Sequence, residues 1–249
     1  MSLPFSTLAR IAWRSLFIQA GFSPEAMQSL GLLYVLAPAW PRLFPDEARR
    51  QEAVQRHLSP FNTHPYAAAA MVGGILFHEE RLARGEGTAE DVERFKQTFM
   101  GPLAALGDGF FWLSLRPAMG ALAVALTPWL GAWSVVLFLA TYNAVHFVTR
   151  LWLFSTGYRY GGGAVVMKLS AWKVPLWSNR LRAVAVAAAA VSALWFADAL
   201  AVVGGQARAL GAGSLVLGAA SWWLLQRKVS PVWLLYGAAL VATVVGALW

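Results

Sequence analysis

Apolar residues after position 110 come in runs long enough to cross a bilayer, where about 20 residues are needed for one helical span. Residues 110–126 and 132–154 predict two helices with a turn around Thr127-Pro128, and 183–203, 209–225 and 231–249 predict three more. Before position 110 the pattern is different. Apolar stretches at 27–40, 66–77 and 98–107 are short and carry Gly31, Pro38, Gly73, Gly74, Gly101, Pro102 and Gly107. Such pieces predict either buried soluble segments or re-entrant hairpins, whose free backbone groups must face protein or a water-filled cavity. Residues 79–96 are dense in charge and are expected in water. Near the start, residues 5–20 place Leu8, Ile11, Ala12, Ser15 and Leu16 on one helical stripe and Arg10 and Arg14 on another. That predicts an amphipathic helix on the cytoplasmic membrane face, although a packed soluble helix has the same period. The two arginines and the lack of a small-residue cleavage site argue against a secretory signal.

Composition agrees with the membrane reading. Of the 249 residues, 58% are hydrophobic and 13% charged, against about 45–50% and 25% in soluble domains. Thirteen Trp suit the headgroup layer. The fold class expected is an all-α integral membrane protein with several transmembrane helices, re-entrant hairpins and an N-terminal amphipathic helix. One domain over 1–249 divides into 1–60 (amphipathic and cytoplasmic), 61–154 (re-entrant and membrane core), 155–182 (basic cytoplasmic loop) and 183–249 (C-terminal spans).

The net charge of +8 matters through its placement. Residues 1–96 hold ten basic and ten acidic side chains; residues 97–249 hold ten basic and two acidic, Asp108 and Asp198. The stretch 155–182 has Arg159, Lys168, Lys173, Arg180 and Arg182 and no acid. By the positive-inside rule it is cytoplasmic, as is Arg227-Lys228, which leaves Trp249 outside. A nucleic-acid stripe of clustered Lys and Arg is missing, so nucleic acid is not the expected partner.

With no cysteine, Fe–S clusters, Cys-ligated zinc and disulfides are excluded. There is no HExxH pattern and no phosphate loop ending in Gly-Lys-Ser/Thr. His78, Glu79 and Glu80 are adjacent and do not converge on one helix face, so they are expected to be solvated and not a metal site. No metal or cofactor is expected.

Two polar clusters stand beside apolar sequence. Phe61-Asn62-Thr63-His64-Pro65-Tyr66 offers the donors and acceptors that sugar hydroxyls require, but Asn62 or Thr63 could equally cap the next helix. Gly107-Asp108 closes a glycine-rich stretch. An acid at membrane depth is a functional hypothesis by default, and a helix cap at the interface is the alternative. Asn143, His146 and Arg150 share one helical face and must meet protein or water. Asp198 has no evident local partner.

Taken together, Trp13-Arg14-Ser15 with Gln19, Met27-Gln28-Ser29-Leu30-Gly31, Arg56-His57-Leu58, the FNTHPY string at 61–66, Glu79-Glu80, Met100-Gly101-Pro102-Leu103 with Gly107-Asp108, Phe111-Trp112, Arg116-Pro117, Asn143/His146/Arg150, Gly157-Tyr158-Arg159 and Lys228-Val229-Ser230-Pro231 resemble the IID component of the mannose/fructose/sorbose family of the bacterial phosphoenolpyruvate-dependent sugar phosphotransferase system. The chain departs from that pattern around 200–212, where a longer acid-containing connection is usual, and at the small Gly109. The resemblance implies a non-catalytic subunit of the bacterial inner membrane that pairs with a IIC membrane subunit, binds and translocates a hexose, and relies on soluble IIA and IIB phosphocarrier proteins. It implies substrate-binding roles for Asn62, Thr63, His64, Gly107 and Asp108, and partner-interface or structural roles for Glu79, Arg116, Asn143, His146 and Arg150. His64 is then a sugar ligand or a structural residue, not a phosphoryl carrier. The competing readings are a self-contained membrane transferase built on His64 and Asp108, and a relative retained for regulation or as a receptor.

Overall fold

The computed structural model describes residues 3–171 and 173–202, with residues 220, 223, 224, 227 and 237. Met1–Ala189 form one compact unit and Ala190–Trp249 another. The first unit holds α1 (Phe5–Arg14), a 3-10 turn (Ser15–Phe17), α2 (Ser29–Leu36), α3 (Trp40–Leu43), α4 (Glu47–Arg56), α5 (Ala68–Ala83), α6 (Ala89–Gly107), a π-helical segment (Asp108–Leu115), α7 (Arg116–Leu130) and α8 (Trp133–Ala171). Helix α9 (Val174–Val202) comes next along the chain. Among the described residues, extended pairing is confined to isolated bridges of Met27 with Ser23 and Phe61.

Local chemistry explains the helix starts. Asp46 accepts from the Arg49 amide at the start of α4, and Glu47 adds an acid to that first turn, which the helix dipole favours. Thr88 and Asp91 form a reciprocal capping box on α6. In α1, Ile11 is buried and Leu8 and Ala12 are half-buried, while Arg10 is exposed, so the apolar stripe turns onto the protein core.

Helix α5 is the centre. Residues 68–76 are buried all round, the expectation for a helix with no polar face. Its small residues let α8 approach at backbone distance: a Cβ on Gly73 would lie 2.3 Å from the Phe154 carbonyl oxygen, and one on Gly157 would lie 2.4 Å from that of Ala70. Glycine-for-glycine approach is how membrane helices gain close packing without a hydrophobic driving force.

Among the described residues, two runs are long and apolar enough to cross a membrane: Ala89–Leu130, 42 residues through α6, the π segment and α7, and Trp133–Gly161, 29 residues of α8. Residues on their outer faces, among them Leu113, Trp133, Val135, Val148 and Leu151, are exposed.

The continuity of the first run corrects the reading of 98–107 as a hairpin. Gly101 and Pro102 lie inside α6, and Asp108 continues the helix with φ −60° and ψ −47°. The helix widens instead of breaking. Pro117 has no N–H to offer the carbonyl four residues back, and just before it Ser114 Oγ donates to the Gly109 carbonyl, five residues back, at 2.7 Å. Nor does the chain turn at Thr127-Pro128. Pro128 rides in the last turn of α7, and the reversal falls at Gly131, with φ 52°. The stretch 155–182 is helical on both sides of position 172, not a loop; α8 is broken inside it at Gly161, φ 70° and ψ −175°. Apart from residues 220, 223, 224 and 237, the predicted spans at 209–225 and 231–249 lie outside the described residues, as do the part of the 200–212 departure beyond residue 202, Trp249 and the side chain of Asp198.

Candidate functional site

The turn at 61–66 is clamped before it meets anything else. Gln28 donates its backbone N–H to the Phe61 carbonyl (2.8 Å) and its Nε2 to the Thr63 carbonyl (2.8 Å), and its Oε1 accepts from the Thr63 amide (3.2 Å). Thr63 Oγ1 donates to the Met100 carbonyl at 3.1 Å, tying the turn to α6. Thr63 is therefore committed. Neither it nor Asn62 caps α5, whose start has no side-chain cap; Asn62 is exposed instead.

His64 is 2% exposed and lies on Gly107. A Cβ added at Gly107 would stand 2.4 Å from His64 Cβ and Cγ, so only glycine admits the ring. The imidazole stacks on Phe111 (centroids 5.3 Å, 12°) and meets Tyr66 and Trp112 edge-on at 5.0 and 4.9 Å. Its Nδ1 accepts from the Tyr66 amide at 3.2 Å, which places the proton on Nε2, a buried atom with no protein partner. Tyr66 in turn lies flat on His146, centroids 3.6 Å apart, and accepts from the Tyr142 hydroxyl at 3.3 Å.

Arg150 closes the arrangement from α8. Its guanidinium donates to the Ser15 carbonyl, to Ser15 Oγ at 3.2 Å and to the Pro65 carbonyl at 3.1 Å. A guanidinium has five donors and no acceptor; here carbonyl and hydroxyl oxygens of two separate turns take them up. Asn143 has another fate, donating to the Leu139 carbonyl of its own helix at 2.7 Å. The structure thus gathers Thr63, His64, Gly107, His146 and Arg150. Asp108, half-buried, and Asn62 flank the contact, Arg116 is exposed, and Glu79 belongs elsewhere.

Glu79 corrects the expectation of a solvated His78-Glu79-Glu80 face. Its side chain is fully buried, accepting from Arg56 Nε (2.8 Å) and Nη2 (3.2 Å) and from His57 Nε2 (2.8 Å). Burial alone would push the Glu79 carboxyl up, but the hydrogen bonds and charges of His57 and Arg56 hold it below the usual range. Burial dominates at His57 and lowers its pKa despite Glu79. His57 is therefore neutral, donating through Nε2–H while stacked on Trp40 at 5.4 Å. Glu80 accepts from the Leu3 amide (2.9 Å) and the Tyr158 hydroxyl (2.5 Å). Lys96, also buried, donates to the Arg56 carbonyl, Ser59 Oγ and Glu93, each at 2.8 Å. Residues 79–96 are thus anchored in the protein at both ends and do not lie wholly in water.

Sequence reasoning passed over Gln28, Ser15, Lys96 and Tyr142. Gln28 and Ser15 stand inside strings that carried the resemblance, and that was the available signal. The space beside Gly107 and Phe111 is a cavity of about 540 Å3 whose walls are apolar apart from Thr149. Among the described residues no three His, Cys, Asp or Glu side chains gather as a metal site would need.

Long apolar helices, glycine-mediated packing and buried polar clasps define an all-α membrane protein. Residues 3–188 match the family model described as "PTS system mannose/fructose/sorbose family IID component", and the chain belongs to that family of sugar phosphotransferase components. It is 30% identical over 261 residues to the PTS system mannose-specific EIID component of Escherichia coli (strain K12), covering 93% of this chain and 89% of that protein. It is 36% identical over 149 residues to the fructose permease IID component of Bacillus subtilis (strain 168), covering 59% of this chain and 54% of that protein. A similar solved structure is the mannose transporter ManYZ in complex with microcin E492 (TM-score 0.61, 27% identity, 99% of this chain and 97% of that one). A second, described only as a membrane protein, has a TM-score of 0.75 at 26% identity, covering 99% of this chain and 98% of that one.

Proposed function

We propose that the chain is a non-catalytic transport subunit in the inner membrane of a bacterium. With a IIC subunit it forms the path that binds a hexose and carries it to a phosphorylated IIB protein, itself charged by IIA. The ManYZ complex supports a hetero-oligomer of this kind. The single observation that carries the assignment of the site is the His64–Gly107 contact. It joins the two polar motifs of the sequence, 43 residues apart, into one rigid element at the edge of membrane helices. Asn62 and Asp108 flank that element with side chains open to a ligand, and they are the sugar contacts on this subunit. Thr63, His64 and Gly107 position them. A phosphoryl carrier would need an accessible imidazole nitrogen; the His64 ring is buried, with Nδ1 engaged.

The test is sugar affinity and donor-dependent sugar phosphorylation in the complex reconstituted with its IIC partner. A ligand hydrogen bond left unmade costs about 1–3 kcal/mol, so Asn62→Ala and Asp108→Ala are each expected to weaken sugar binding roughly tenfold or more. Wild-type affinity in both variants, with assembly intact, would move the sugar site to the partner. Normal sugar binding with no phosphorylation in His64→Gln would overturn the non-catalytic assignment.

A further inference from the structure

The apolar cavity beside Gly107 has a polar neighbour. Leu103, Leu115, Val145, Leu153 and Trp177 are among its walls. It shares Leu106, Phe110 and Val174 with an adjoining pocket of about 190 Å3 whose lining includes Ser178, Asn179 and Arg182. Arg182 Nε donates to Ser114 Oγ at 3.2 Å, which fixes the guanidinium against the π segment. Arg180 lies over the Trp177 ring, 5.1 Å from its centroid, so an indole in the apolar wall carries a cation on its face. Lys173 is exposed beside Val174. No carboxylate lies between residues 155 and 182, and Asp108, next to Gly109, does not line the pocket.

We propose that this composite cavity binds one anionic phospholipid, with an acyl chain in the apolar part and the phosphate held by Arg182 with Ser178 and Asn179, while Lys173 and Arg180 add positive charge from the same stretch of chain. An apolar slot that ends at Arg182 and an indole, in a stretch of chain without a carboxylate, matches an anionic lipid at the bilayer interface. It does not suit a sugar, whose hydroxyls would find apolar walls. A phosphorylated protein would use the cations and leave the apolar depth unexplained.

The test uses the chain extracted in mild detergent with any subunit that co-isolates, after reconstitution into vesicles of phosphatidylcholine with a minor fraction of phosphatidylglycerol. Retained lipid is counted by native mass spectrometry. Wild-type protein is expected to retain phosphatidylglycerol well beyond its share of the vesicle. Three cations near an anionic surface are worth roughly a hundredfold in affinity, so the triple variant Lys173→Gln, Arg180→Gln, Arg182→Gln is expected to lose roughly tenfold or more of that retention. Leu106→Trp fills the apolar part with the cations in place and should lower retention as well. No enrichment in the wild type, which needs no variant to fold, overturns the proposal. So does enrichment that survives the triple substitution. If Leu106→Trp retains the lipid fully while the triple variant loses it, the surface is one for a soluble anionic partner and the lipid site is refuted.

Discussion

At the scale of single residues, the closest fit is between Gly107 and His64. Overpacking of this kind typically costs about 1–3 kcal/mol. Gly107→Ala is therefore expected to lower the thermal unfolding temperature in detergent, whereas Gly109→Ala, with nothing within 4 Å of its added carbon, should leave it unchanged or raise it. The buried Glu79–His57 pair makes a prediction in pH. Both groups have folded pKa values below their ordinary ones, 4.5 and 6.5, so the unfolded chain binds more protons and stability falls with acid. The His57 part is fully present above pH 6.5 and weakens below it; the Glu79 part is lost as pH drops below 4.5 through the lowered value. Glu79→Gln should flatten the acid limb of an unfolding-versus-pH curve, and an unchanged limb would remove Glu79 as its cause. Asn62, Thr63, His64 and Asp108 were legible as polar residues beside apolar runs. The burial of Glu79 was not, because its partners Arg56 and His57 stand 23 and 22 positions away and adjacent acids read as a wet surface.

At the scale of elements, the α5–α8 contact depends on the missing side chains of Gly73 and Gly157. Their added carbons would meet backbone oxygens, which cannot swing aside as a side chain can. Gly157→Ala should therefore separate the two helices and reduce the yield of folded protein. Gly120→Ala, inside α7 with open space around it, should stabilise by up to about 1 kcal/mol through helix propensity. The comparison of the two by detergent melting checks the claim. Helix existence was largely readable from apolar runs, but helix length was not. Gly101, Pro102 and Gly107 look like breaks, yet α6 runs through all three, since packing on α5 and α8 outweighs local propensity. The reverse happened at 155–182, where five cations suggested a loop and the chain is helical on both sides of position 172, with a break at Gly161.

At the scale of the whole molecule, charge and spans lead to an expected orientation. The cations at 159–182 lie close to the end of the Trp133–Gly161 span, the range over which they set topology. The positive-inside rule predicts that end on the cytoplasmic side and the turn at Gly131 on the opposite side. The absence of cysteine makes the check direct. A single cysteine at exposed Ala132 is expected to react with a membrane-impermeant maleimide in intact cells, and one at Lys173 only after permeabilisation; the reverse pattern would invert the assigned topology.

The anchoring of Arg150 has a consequence for biogenesis. Its acceptors, Ser15 and the Pro65 carbonyl, are synthesised long before the arginine itself. When α8 leaves the ribosome, an unaccompanied arginine near its middle penalises membrane insertion by about 2.5–3.5 kcal/mol. The earlier turns are already waiting to relieve that penalty, so the N-terminal segment behaves as a built-in escort for a later span. Deleting residues 3–20 should leave α8 inefficiently inserted, as read by protease protection of newly made chains, and Arg150→Leu in the same deletion should restore insertion without restoring the clasp.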